Sequence, residues 1–244
     1  MTGKGKQTRR YILAAMAVAV IFEVVIISTI ASGDLQQAVQ EAERSVVMVT
    51  AYYNDGSAVA QGSAFFVSED GDVVTCYHLI KGSDSVYIMT SDGDVYPAKE
   101  IIEEDEVADL AKLSVNLSEN SSDLSGGDVS YLTLNTTLPE AGQEVVVLGA
   151  QMNLGRQVVE ANVSEVVLDD KSEDIILLDR TIPPEVIGAP VLNSRGEAIG
   201  IADIRTEDGQ SLSFAIPAGR ILGGLWQSLI SSREKWRHLG RFST

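Results

Sequence analysis

Two histidines and one cysteine bound the chemistry open to this chain. His78 and His238 are its imidazoles, and Cys76 is its thiol. Zinc sites are built from three or four Cys, His and carboxylate ligands. So short a supply of nitrogen and sulfur leaves a zinc site without support, and one cysteine cannot close an internal disulfide. The expectation is no metal and no cofactor. Cys76 lies two positions before His78. On a strand both side chains would share a face, the arrangement a thiol nucleophile and its base would need. A core role is the competing reading of Cys76.

Net charge narrows the partners. The chain carries −17. The first 32 residues hold four of the basic groups (Lys4, Lys6, Arg9, Arg10) and one acidic group, Glu23, which leaves −20 on the remainder. A surface that acidic repels nucleic acid and anionic lipid, so no nucleic-acid partner is expected.

Residues 11–31, YILAAMAVAVIFEVVIISTIA, contain one charged group in 21. At about 1.5 Å per helical residue, such a stretch spans a hydrocarbon core of roughly 30 Å. Its leading flank is basic and its trailing flank acidic. The positive-inside rule then puts the N-terminus in the cytoplasm and the rest outside, at the cell surface or in a periplasm. A cleaved signal peptide is the competing reading, and it exports the chain too.

Short elements downstream of that segment must position His78 and Cys76. Residues 32–45 fit a short polar helix or linker, with Leu35, Val39 and Ala42 on one side. SVVMVTAYY, SAFFVS, DVVTCYHLI, SVYIMT, VYPAKEII and ADLAKLSV are short, rich in β-branched and aromatic residues, and separated by NDGS, EDGD, KGSD and SDGD. This is a strand-and-turn rhythm. Residues 116–129 are polar and read as a linker. A second series occupies 130–218: SYLTLN, EVVVLGA, RQVVEANVSEVV, DIILLD, APVLN, EAIGIADI and SLSFAIP. In 219–239, Ile221, Leu222, Leu225, Trp226, Leu229 and Ile230 recur at helical spacing.

Short motifs make this pattern specific. GSAFFVSEDGDVVTCYHLIKGSDSVYIMTSDGDVYPAKEI, with its T-x-x-H at Thr75 to His78, resembles the first barrel of the HtrA/Deg trypsin-like serine proteases. VADLAKLSV resembles that family's DLAxLxV strand, and VLNSRGEAIGIA with SLSFAIPAGRI resembles its second barrel and the entry to its last helix. The resemblance implies an all-β fold. It has two six-stranded chymotrypsin-like barrels, here over 46–115 and 130–218, a C-terminal helix and, in this chain, a preceding transmembrane helix. It implies His78 as the catalytic histidine and Asp109 as the aspartate that orients it. It also implies a specificity pocket lined by IADIRTEDGQSLSF, with Ile201, Ala202 and Phe214 making it apolar and Arg205 anchoring a carboxylate.

The departure falls at the nucleophile. The family writes G-x-S-G-G/A-P where this chain writes Glu185-Val186-Ile187-Gly188-Ala189-Pro190. Ile187 stands at the serine, and Glu185 at the first glycine. Isoleucine has no hydroxyl for a histidine to deprotonate. Glu185 and the β-branched Val186 and Ile187 resist the backbone angles that aim N–H groups at an oxyanion, so Gly188 stands alone in that stretch as a flexible residue. Ser194, Ser211 and Ser213 lie away from this turn. The expectation is a membrane-anchored protease homologue without activity, in which His78 and Asp109 are triad remnants. It would act by binding a peptide or protein, as a homo-oligomer, or beside an active paralogue. The alternative is an active serine endopeptidase of the HtrA/Deg type in extracytoplasmic protein quality control.

Overall fold

The computed structural model describes residues 37, 39–117, 130–151, 155–167, 174–207 and 210–221. The apolar segment 11–31, most of the 116–129 linker and nearly all of the terminal helix over 219–239 lie outside them. Among the described residues no helix is long and apolar enough to cross a membrane.

Twelve strands form two closed antiparallel barrels. The first uses β1 (Val46–Tyr52), β2 (Ala58–Phe66), β3 (Asp72–Cys76), β4 (Ser85–Met89), β5 (Val95–Asp105) and β6 (Leu110–Val115), in the order β1-β2-β3-β6-β5-β4. The second uses β7 (Glu144–Gln151), β8 (Gly155–Val167), β9 (Ile175–Leu178), β10 (Pro190–Leu192), β11 (Ala198–Glu207) and β12 (Gln210–Pro217), in the order β10-β11-β12-β9-β8-β7. Closure leaves neither sheet with an edge to protect. The fold class is therefore the one the strand rhythm and the motifs lead to. The punctuation between strands is also physical. Gly71 of the EDGD turn has φ +90°, a region L side chains avoid, and a Cβ there would sit 2.7 Å from the carbonyl oxygen of Val115.

SYLTLN departs from expectation. Its residues form no strand, only an isolated bridge from Leu134 to Ala198. The reason is that its backbone partners belong to different barrels. Leu132 N donates to Phe66 O on β2, while Asn135 N donates to Ala198 O at the start of β11. A segment shared in this way cannot run a continuous ladder, and it laces the barrels together instead.

Burial explains how strands from both barrels reach one place. Phe65 and Phe66 are adjacent on β2, so they point to opposite faces, yet both are buried. One face fills the first barrel and the other is covered by the seam. Each such ring contributes about 1.5–3 kcal/mol by leaving water. The core of the first barrel continues into Leu148, Leu192, Ile201, Phe214 and Ile216 of the second, while Val147, Ile176, Val191, Ala202 and Ala215 fill the second interior. At the N-terminal side the helical turn ending at Ala42 is docked, with Ala42 buried and Val39 packed on the same core.

Candidate active site

His78 rides on a 3₁₀ turn, Tyr77–Leu79, at the end of β3. β3 pairs with β6, with Cys76 opposite Leu110, so the residue before β6 lies beside the turn. That residue is Asp109. It has φ +53°, alone among the described non-glycine residues in the left-handed region. Such strain persists only where the surroundings enforce it, and here three bonds do so. Tyr77 N donates to Asp109 O (3.1 Å), His78 N donates to Asp109 Oδ1 (2.8 Å), and His78 Nδ1 meets Asp109 Oδ2 at 2.6 Å. The loop feeding Asp109 is itself set by Asp105 Oδ1, which accepts from Val107 N and Ala108 N. The hydrogen bond to Asp109 raises the pKa of His78 above its ordinary 6.5, against the opposing effect of burial. The structure thus brings His78 and Asp109 together as an oriented imidazole–carboxylate pair.

The stretch Glu185 to Gly188 arrives from the other barrel. Pro184–Val186 form a 3₁₀ turn. Val186 is buried beneath Gly149, where a Cβ would lie 2.5 Å from Val186 Cγ1. Glu185 is exposed. Ile187 is half-buried with φ −58° and ψ 133°, ordinary angles for a β-branched residue. The N–H groups of residues 186–189 are occupied. Val186 N donates to Pro183 O, Ile187 N to Pro184 O, Gly188 N to Ala202 O and Ala189 N to Val186 O, all at 2.8–3.1 Å. Its carbonyls point into the first barrel, where Ser63 N donates to Ile187 O (2.8 Å) and Ser63 Oγ to Glu185 O (3.1 Å). Gly188 has φ +84°, and a Cβ on it would sit 2.1 Å from Ser63 O and 2.6 Å from Thr75 Oγ1. The turn is a closed, self-satisfied structure clamped onto β2. The Ile187 carbonyl lies beside Gly62 and Leu79, next to the turn that carries His78.

The expected pocket is corrected by burial. Ile201 and Ala202 are wholly buried, so their side chains are core and present no ligand surface. Ala202 serves through its carbonyl, which accepts from Gly188 N and lies 3.7 Å from Cys76 Sγ. Arg205 and Phe214 do line a cavity, with the guanidinium 5.6 Å from the ring centroid. Its other walls include Asp109, Asp174, Asp203 and Arg220, so it is charged where an apolar pocket was expected.

Sequence reasoning missed Asp203. It is a buried carboxylate on β11, two residues after Ile201 and therefore on the same, seam-facing side. The signal was available: an acidic residue on the inward face of an apolar strand is rare without a reason. Burial raises its pKa, with the nearby Asp109 acting in the same direction and the Ile204 N–H opposing. Cys76 is fully buried, and burial pushes its thiol well up, away from the thiolate a nucleophile needs. Together Cys76, His78, Asp109 and Asp203 place one potential ligand atom each within 4.8 Å of one another.

Known proteins share this arrangement of barrels. A family model described as a trypsin-like peptidase domain matches residues 62–201. The chain is 32% identical over 174 residues to the anti-sigma-I factor RsgI9 of Acetivibrio thermocellus, covering 71% of this chain and 23% of that protein. It is 33% identical over 170 residues to serine protease HTRA1 of Xenopus tropicalis, covering 66% and 35% respectively. It thus spans well under half the length of these curated relatives. The crystal structure of a serine endoprotease from Yersinia pestis superposes with a TM-score of 0.64 at 24% identity, over 81% of this chain and 66% of that one. With more than half of its length matched by the family model, and with relatives among the HtrA-type serine proteases, the chain belongs to the trypsin-like peptidase family.

Proposed function

We propose that this protein is an exported, membrane-anchored member of the family that does not cleave peptides and acts by binding a peptide or protein partner. One observation carries the reading: the turn at the nucleophile position offers neither a hydroxyl nor, at residues 186–188, a free N–H. Ile187 fills the position, and the amides of Val186, Ile187 and Gly188 each donate to a backbone carbonyl. Acyl transfer needs the hydroxyl to attack, and N–H donors aimed at the oxyanion that forms. Export and anchoring are supported by the apolar segment 11–31 and its charge flanks. A protein-binding role is supported by a relative named as an anti-sigma factor.

The rival reading, a working endopeptidase, is favoured by the His78–Asp109 pair, which is oriented as a base would need. The full chain in detergent, treated with a fluorophosphonate probe and incubated with casein, decides between them. Neither labelling nor cleavage is expected. A labelled residue, located by mass spectrometry, overturns the proposal and names the nucleophile.

A further inference from the structure

We infer that Cys76, His78, Asp109 and Asp203 form a binding site for one divalent cation of the zinc class, set in the seam between the two barrels. This goes beyond the binding role above and is read by spectroscopy, so its failure is separate from that of the role.

The convergence is a product of the fold. Cys76 ends β3, Asp109 precedes β6 and Asp203 lies on β11, and only the seam brings them to one imidazole. The chain's single thiol points across the seam to the Ala202 carbonyl, adjacent to Asp203. The donor set is one sulfur, one imidazole nitrogen and two carboxylate oxygens. Sulfur and imidazole select a borderline-soft ion over calcium or magnesium. With Zn–S near 2.3 Å and Zn–N or Zn–O near 2.0–2.2 Å, tetrahedral ligands stand about 3.3–3.7 Å apart. The four donors lie within 4.8 Å of one another; loading would break the 2.6 Å bond between His78 Nδ1 and Asp109 Oδ2 and move those two atoms apart to the ligand spacing, while the others draw in.

Charge points the same way. Asp203 is buried, and its Oδ1 accepts from the adjacent Ile204 N (2.7 Å). Among the described residues it makes no ion pair. Two carboxylates and a thiol face one imidazole; Cys76 and Asp203 are buried, Asp109 and His78 are partly exposed, and Arg205 and Arg220 stand on the wall of the adjoining cavity. Buried charges are ordinarily paired or bound to metal, and a dication supplies what His78 alone does not. The supporting bonds are also in place. Oδ1 of Asp109 is held by His78 N–H and Oδ1 of Asp203 by Ile204 N–H, which fixes both carboxylates. A route in is offered by the half-exposed His78 and by the cavity that Asp109 and Asp203 line. On loading, the thiol proton leaves to solvent, and the imidazole stays neutral with its proton on the nitrogen that does not bind.

The test uses the full chain, without a histidine tag, stripped with chelator in detergent and titrated with Co²⁺. One equivalent should bind, with a thiolate-to-cobalt charge-transfer band in the near ultraviolet and the strong visible bands of a tetrahedral ion. Zn²⁺ should displace it and raise the melting temperature. The band can report no sulfur but Cys76, since it is the only cysteine. Cys76→Ala should lose the band. Asp203→Asn, which keeps shape and volume, should weaken Co²⁺ binding about tenfold or more, and His238→Ala should leave it unchanged. A native chain without the charge-transfer band overturns the site. So does an Asp203→Asn chain that binds Co²⁺ as tightly as the native one, and this arm stands even if Cys76→Ala fails to fold.

Discussion

On the proposed reading, Ile187→Ser would supply a hydroxyl while the turn stayed closed, and the hydrogen bonds of the turn give the size of the expected shortfall. To present N–H groups to an oxyanion, the turn must release three hydrogen bonds: Ile187 N to Pro184 O, Ser63 N to Ile187 O, and Ser63 Oγ to Glu185 O. At about 1 kcal/mol net for each, that costs about 3 kcal/mol. Moving Glu185, a non-glycine residue, into the backbone region a glycine would adopt adds about 1 kcal/mol or more. A total near 4 kcal/mol corresponds to about one molecule in a thousand with an open turn, since each 1.4 kcal/mol is tenfold. Ile187→Ser should therefore react with a fluorophosphonate probe about a thousandfold more slowly than an active HtrA-type relative measured beside it. Adding Glu185→Gly should recover about fivefold or more by removing the side-chain penalty. Labelling of Ile187→Ser within tenfold of the active relative would overturn this account, because it would mean that the turn opens at almost no cost.

Three further outcomes are expected. Gly188→Ala places a Cβ 2.1 Å from Ser63 O at φ +84°; it should lower unfolding free energy by more than about 3 kcal/mol in urea titration, and an unchanged midpoint would contradict the packing. In the chelator-stripped chain His78 should titrate above 6.5 by NMR because Asp109 favours the imidazolium, so its share of stability is full below 6.5 and is lost as pH rises through the elevated value. Asp109→Asn should bring that titration down. Glu197, held at about 2 by Arg195, Asn193 and Asn135, contributes stability above the ordinary carboxylate range that disappears as pH falls from about 4.5 towards 2. Partial exposure limits this to about 1 kcal/mol, so Glu197→Gln should be less stable than the native chain at pH 6 by that amount and equal to it near pH 2.

What could be read in advance was what is local in sequence. The T-x-x-H turn and the strand opening at Asp109 are short motifs whose geometry comes from β3 pairing with β6, and the position of Ile187 is fixed by the residues just after it. SYLTLN misled because alternation reports a half-buried extended segment, not the partners of its amides, and those turned out to be split between Phe66 and Ala198. Ile201 and Ala202 misled because placement next to a pocket in the chain says nothing of which face is core. Asp203 escaped because its neighbours in space, Cys76 and Asp109 among them, lie far away along the chain; the thiol's contact with Ala202 spans 126 positions. The closure of the turn at Ile187 was foreseeable in residue type only, since the carbonyls of Pro183, Pro184 and Ala202 that occupy its amides are tertiary and conformational facts.

Ser63 has a consequence for how this molecule can come apart. It lies on β2, yet its N–H and hydroxyl both donate to the Glu185–Ile187 turn, its hydroxyl also accepts from Ala150 N on β7, and its carbonyl accepts from Thr75 Oγ1. The N–H and hydroxyl of one buried residue are thereby committed to holding the two lobes in register, while its carbonyl is tied within the first barrel. Split between the lobes, the chain would yield two fragments, each carrying half of an apolar seam and a set of orphaned amides and carbonyls. Such halves should be sticky on their own and regain solubility when mixed. The lobes should melt as one unit, and a cut between them should leave the pair associated.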